Sequence, residues 1–328
     1  MDPPYRRKIL GNELTSIGNL SGAFMSPPGS MDLQFAYYNS ALAVEYLVKR
    51  YGLEALKAIL ADLANGEEIN SAIARHAAPL ENVEKEFEAF ARKRAEELAP
   101  DVDWEQPEGG QLDPADPNAL GDWLTEHPTS FWALTVQANN LLADQKWEEA
   151  KNPLQKLIRL YPRYAGEDNA YRLLAEVHRK LGDSEQERLV LGDLAILSPD
   201  AVYAYERLME IGIEQEDWRQ VVTNGARYIA VYPMLATVHR RLGRANEQLD
   251  RREQAVGSYR RLLLLDPTDP ADINFRLARL LRHSDPARAK RHVLEALAEA
   301  PRFREAHRLL SDITKETGRP QTTQGDAP

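Results

Sequence analysis

Short amphipathic stretches, broken by polar turns, fill the chain from about residue 131 onward. WALTVQANNLLADQ puts Leu134, Ala138 and Leu141 on one helical face. After a polar break, WEEAKNPLQKLIRLYP does the same with Ala150, Leu154, Leu157 and Ile158. Such a pair predicts a helix, a tight turn and a second helix with facing apolar stripes. The closing proline cannot continue a helix and turns the residue before it away from the α region.

That ending recurs. LIRLYP, LAILSP, YIAVYP, LLLLDP and ALAEAP close on Pro162, Pro199, Pro233, Pro267 and Pro301, at spacings of 37, 34, 34 and 34. Pro128 lies another 34 residues before Pro162. A period held this closely predicts a stack of like units, each burying its apolar face on its neighbours. Ala150, Ala255 and Ala289 stand twelve residues before their prolines, where close helix approach demands a small side chain.

These positions resemble the tetratricopeptide repeat. The 131–164 unit supplies Leu134, Ala138, Leu141, Ala150, Leu154 and Pro162; the 236–269 unit supplies Leu242-Gly243, Ala255, Tyr259, Leu262 and Pro267. Two departures stand out. The 168–201 unit has Glu187 at a small position after a three-residue insertion, and the 202–235 unit has Gly225 where a bulky residue is usual. The pattern gives five units, a half-unit near 115–128 and a closing helix at about 303–316. The resemblance implies an all-α fold, a right-handed superhelix of helical hairpins preceded by a small helical segment. It also implies a groove, lined by each unit's first helix, for a protein or peptide partner. The groove positions are Asn169, Arg172, Glu176 and Arg179, then Tyr203, Glu206 and Glu210, then Thr237, Arg240, Arg244 and Glu247. The family's Lys/Asn carboxylate clamp is not reproduced. The four arginines suit bidentate capture of acidic side chains.

Ahead of the repeats, four helical patterns appear. FAYYNSALAVEYLVKRYG mixes small and large apolar residues and stops at Gly52; LEALKAILADLANG stops at Gly66. EEINSAIARHA and LENVEKEFEAFARKRAEEL follow. Residues 99–117 carry six acidic residues, no basic ones, four prolines and paired glycines, so a linker is expected there. The expected division is thus a helical segment at 1–98, a linker at 99–117, a repeat array with capping helix at 118–317 and a disordered tail at 318–328.

Ala36-Tyr37, Ser40, Val44, Tyr46-Leu47-Val48 and Arg50-Tyr51-Gly52, followed by Leu53 to Gly66, resemble the end of a peptidase-MA, gluzincin-like zinc metallopeptidase domain. That resemblance covers residues 15–98 and implies a parent catalytic half with an H-E-x-x-H helix. In this chain no two histidines stand four apart and none precedes a glutamate. No catalytic residue, zinc ligand or peptidase activity is therefore expected of the chain as given. A non-catalytic interaction scaffold is the first expectation, and the C-terminal portion of a metallopeptidase the alternative.

Charge and composition narrow the rest. The chain has 328 residues, no cysteine and a net charge of −10. Residues 234–328 carry 18 basic and 13 acidic side chains, and residues 1–233 carry 23 and 38. An acidic body argues against general nucleic-acid binding, and its basic end leaves room for an acidic partner. Phosphate loops and nucleophile elbows are missing from the sequence, so no cofactor is expected. His178 and His239 fall at inward-facing positions and read as packed core histidines. The acidic runs DVDWE and DPADP read as solvating charge rather than metal ligands. No membrane span or signal peptide is legible. Localisation stays open: cytoplasmic by default is the expectation, and exported if the N-terminus is truncated.

Overall fold

The computed structural model describes residues 1–25, 27–109, 112–265 and 267–317. The tail expected to be disordered lies outside them. The described residues fold as α-helices with a short 3₁₀ turn at Ile17–Asn19. The first eight helices are α1 (Pro3–Leu10), α2 (Gly22–Met25), α3 (Ser30–Ala64), α4 (Ile69–His76), α5 (Leu80–Glu96), α6 (Pro117–Glu126), α7 (Phe131–Ala143) and α8 (Trp147–Leu160). Next come α9 (Ala170–Leu181), α10 (Ser184–Leu197), α11 (Val202–Glu214), α12 (Trp218–Val231) and α13 (Ala236–Gln248). The last are α14 (Arg252–Leu264), α15 (Pro270–Leu281), α16 (Pro286–Glu299) and α17 (Arg304–Thr317). No helix among the described residues is long and apolar enough to cross a membrane.

Two compact units divide the chain. One holds Met1–Asn140 and Gln155–Gly166, the other Leu141–Leu154 and Glu167–Pro328. The division falls within the first repeat unit rather than at the acidic segment 99–117. The physical reason lies in residues 102–104. Asp103 N–H donates to the Thr129 carbonyl, and Phe131 N–H donates to the Asp103 carbonyl. The Trp104 ring meets Phe131 at 5.3 Å and Tyr161 at 6.1 Å, under the Arg6 guanidinium at 4.8 Å. Packing of the half-buried indole against these rings secures this part of the segment despite its acidic surroundings.

In the first unit, Phe35, Leu42, Ala43, Tyr46 and Leu47 of α3 pack with Ile9 of α1 and with Val83, Phe87, Ala91 and Ala95 of α5. The expected stop at Gly52 is a sharp break inside α3, at φ +85° and ψ 166°, a conformation open to glycine. Tyr38 is half-buried and stacks on Tyr5 at 4.9 Å, whereas Tyr37 is exposed and meets Phe24 edge-on at 5.0 Å. Tyr37, Val44, Leu53 and Leu60 remain exposed along α3.

The second unit is a stack of helical hairpins, α9–α10, α11–α12, α13–α14 and α15–α16, closed by α17. Its period and hairpin pairing make it a helical repeat array of the tetratricopeptide type. Two devices recur at the repeat spacing. Asp183, Asp217 and Asp285 cap the second helices α10, α12 and α16 by accepting from Gln186, Gln220 and Arg288 N–H. Side chains six residues past a repeat proline reach back to its carbonyl: the Tyr205 hydroxyl to Pro199 at 3.0 Å, His239 Nε2 to Pro233 at 2.8 Å and His307 Nε2 to Pro301 at 2.9 Å. These bonds satisfy a carbonyl at each turn that the helix ladder cannot reach. His178 and His239 are both buried, as their inward positions predicted.

Between hairpins, Tyr259 and Leu262 of α14 lie in one core with Ile273 and Leu277 of α15, Val293 of α16 and Ile313 of α17. Each such side chain contributes about 1.5–3 kcal/mol relative to an exposed one. Both sequence departures have a structural reason. A methyl at Gly225 would stand 2.6 Å from Leu242 and 3.3 Å from the Met209 sulfur, so neighbours already fill the bulky position. Glu187 is buried as an ion-pair partner of Arg207.

Candidate protein-interaction face

The predicted groove residues lie on α9 and its N-cap, α11 and α13, and the first helices α11, α13 and α15 carry a run of cross-helix ion pairs. The run starts at Glu187 on α10. Arg207 of α11 reaches it at 2.7 Å and also meets Glu210 at 3.1 Å and Glu214 at 3.3 Å on its own helix. The hydrogen bond from Arg207 to Glu187 is the main cause that raises the arginine's pKa, outweighing its burial. One hairpin on, Arg241 of α13 meets Glu210 at 3.3 Å and Glu206 at 3.8 Å. Then Arg276 of α15 meets Glu247 of α13 at 3.1 Å and Asp272 at 2.8 Å. Burial works against the Arg276 charge, yet Asp272, Tyr259 and Glu247 together raise its pKa. At the end of the stack Arg282, the C-cap of α15, bonds Glu316 of α17.

This ladder sorts the predicted residues. Glu206, Glu210 and Glu247 are committed to arginines of neighbouring helices. Arg172 of α9 lies over the Tyr203 ring of α11 at 5.1 Å and donates to the Glu167 carbonyl. Burial raises the pKa of Tyr203. Glu176 and Arg179 approach to 3.9 Å along α9. Asn169 is 4% exposed and its side chain accepts from Arg172 N–H at 2.9 Å, so it caps α9 rather than presenting an open groove position. Thr237 and Arg244 are exposed, and Arg240 is half-buried. Arg240 and Arg244 stand one helical turn apart on α13. Among the described residues neither makes an ion pair.

Sequence reasoning missed the arginines that build the ladder. Arg207 and Arg241 are 34 residues apart, the repeat spacing, which is the signal that could have revealed them. It also separated residues that the fold brings together. Asp103, Glu105 and His127 place one potential ligand atom each within 4.8 Å of the others. Both Asp103 oxygens are already used: Oδ1 accepts from Glu105 N–H at 2.9 Å, and Oδ2 meets His127 Nδ1 at 2.7 Å. These bonds tie Asp103 to Glu105 and to His127 in the turn after α6.

Comparisons with known proteins add the following. The family described as the bacterial transcriptional activator domain matches residues 129–266. No curated protein matches the chain. Among solved structures, YrrB, described as a TPR protein with an unusual peptide-binding site, is 14% identical with a TM-score of 0.42, over 59% of this chain and 97% of its own. MamA from Desulfovibrio magneticus RS-1, residue 41 to its end, is 18% identical with a TM-score of 0.36, over 51% of this chain and 93% of its own. The TPR domain of P58(IPK) is 13% identical with a TM-score of 0.34, over 61% of this chain and 59% of its own.

Proposed function

We propose that the second unit is a non-catalytic binding module that holds an acidic peptide segment of a protein partner along α9, α11 and α13. One observation carries this reading. The ion-pair ladder neutralises Glu206, Glu210 and Glu247, while among the described residues Arg240 and Arg244 of α13 have no carboxylate partner. Guanidinium groups left unpaired beside a neutralised surface favour carboxylates of a partner. The match of residues 129–266 to a domain of bacterial transcriptional activators supports a regulatory protein as the setting for such binding. The matched family and structures lend no support to the peptidase-MA resemblance of residues 15–98, so the proposal rests on the second unit alone.

The test is a fluorescence-anisotropy titration of the full chain with labelled peptides of equal length, one set rich in Asp and Glu, one neutral and one basic. Saturable binding of acidic peptides that weakens with salt is expected. Equal affinity for the neutral set, or binding to none of the three, overturns the proposal.

A further inference from the structure

A second cationic feature lies on the other helices of the hairpins. Arg260 of α14 and Arg288, Arg291, His292 and Glu295 of α16 line a cleft of about 320 Å³. Three guanidinium groups thus face one space. Arg288 leans on Asp285 at 3.2 Å. Among the described residues Arg260 and Arg291 have no ion-pair partner. His292 is fixed by Nδ1, which lies 2.8 Å from Asn274 Oδ1 and 3.0 Å from Glu295 Oε2. Both partners accept, so Nδ1 is the donor. Glu295 is therefore held by His292 rather than by an arginine of the cleft.

The repeat supplies an internal control. One hairpin back along the chain, the places of Arg288 and Arg291 hold Gln254 and Gly257; two back, they hold Gln220 and Thr223. The place of Arg260 holds Ala226 in α12 and Leu294 in α16. Packing of the hairpin thus requires no arginine at any of the three positions. The cationic set is peculiar to this end of the array, while neighbouring core positions keep small or apolar residues throughout. Charge placed where the fold does not need it, in a cleft of small-ligand size, points to recognition.

We propose that this cleft binds a phosphate group, gripped by Arg260 and Arg291 and steadied by Arg288. The guanidinium fork matches the oxygens of a phosphate, and a dianion offsets two unpaired arginines. Glu295 stands at one side, so an anion seats toward the arginines and away from it. This site shares no residue with the acidic-peptide face, and either can fail without the other.

The experiment is a thermal-shift titration of the full chain at constant ionic strength with three probes: inorganic phosphate, free phosphoserine and acetate. Phosphate and phosphoserine are expected to raise Tm saturably, and acetate is not. A stronger response to phosphoserine points to a phosphorylated side chain as source, and a stronger response to inorganic phosphate points to the free ion. The double variant Arg260→Ala/Arg291→Thr installs the residues that α12 carries at these places, and should abolish the response while keeping the unliganded Tm. Glu295→Gln removes the opposing carboxylate and should tighten phosphate binding by roughly threefold. It serves as the second readout should the double variant fold poorly. An equal shift with acetate, a response retained by the double variant, or no tightening in Glu295→Gln contradicts the proposal.

Discussion

Glu187 and Arg207 form a two-point ion pair, Oε1 to Nε at 2.7 Å and Oε2 to Nη2 at 3.2 Å, with the glutamate only 1% exposed. The two residues sit on α10 and α11, so the pair joins one hairpin to the next. Their loss is not symmetrical. Arg207→Ala strands a buried carboxylate and should cost about 3 kcal/mol. Glu187→Ala leaves Arg207 with Glu210 and Glu214, and should cost about 1–2 kcal/mol. Urea denaturation of both variants and of the double variant checks this. The double variant should be more stable than Arg207→Ala alone; the reverse order refutes the account of the pair.

Arg251 stands where Asp183, Asp217 and Asp285 cap the other second helices, and it provides no cap. Its backbone, at φ −92° and ψ 72°, matches Asp183 at φ −91° and ψ 73°. Arg251→Asp should therefore add a cap to α14 and raise stability by about 1 kcal/mol. Thermal unfolding reads the effect, and a lower Tm contradicts it.

Gly243 faces the Tyr259 ring, and a methyl there would stand 2.4 Å from it. Gly243→Ala gains helix propensity of about 1 kcal/mol but overpacks a filled core, with a net loss of about 1–2 kcal/mol. Adding Tyr259→Leu should reverse the loss in part. Denaturant midpoints of the single and double variants decide the matter, and an unchanged midpoint for Gly243→Ala removes the close-approach explanation.

These positions mark how far the sequence reached. The helices, their turns and the 34-residue period were legible because proline stops and apolar spacing repeat locally. Helices α6 and α17 lie where the half-unit and the closing helix were expected. Arg207 and Arg241 share the repeat spacing, but their pairings were not legible, because Arg241 finds Glu210 thirty-one residues away and Arg276 finds Glu247 twenty-nine away, neither equal to the period. Asn169 was read as a groove residue because its register fits, but nothing in the register shows that its amide turns back to cap α9. Nor does an acidic run reveal that Trp104 inside it is anchored by aromatic packing.

The first unit should be acid-sensitive. Hydrogen bonds hold three carboxylates below their ordinary values: Arg94 acts on Glu45, His76 on Asp62 and Arg50 on Glu86. A folded-state pKa below the unfolded one gives stability that is present above the unfolded value. It is lost as pH falls through the folded value. The contribution should thus be intact above the ordinary glutamate value of 4.5 and fade below it. Urea midpoints measured from neutral pH downward should fall in this window, and less steeply in Glu45→Gln/Glu86→Gln. An identical slope in the variant contradicts the assignment.

The central claim concerns the first helices of the second unit, and the most direct measurement compares two double variants. Affinity for an acidic peptide should fall roughly tenfold in Arg240→Gln/Arg244→Gln, the loss of two charge-assisted contacts. Arg219→Gln/Arg261→Gln removes the same charge from exposed positions of α12 and α14, and should leave affinity nearly unchanged. Equal weakening by both pairs would mean that net charge alone drives binding, and no weakening by the first would contradict the claim that α13 holds the peptide.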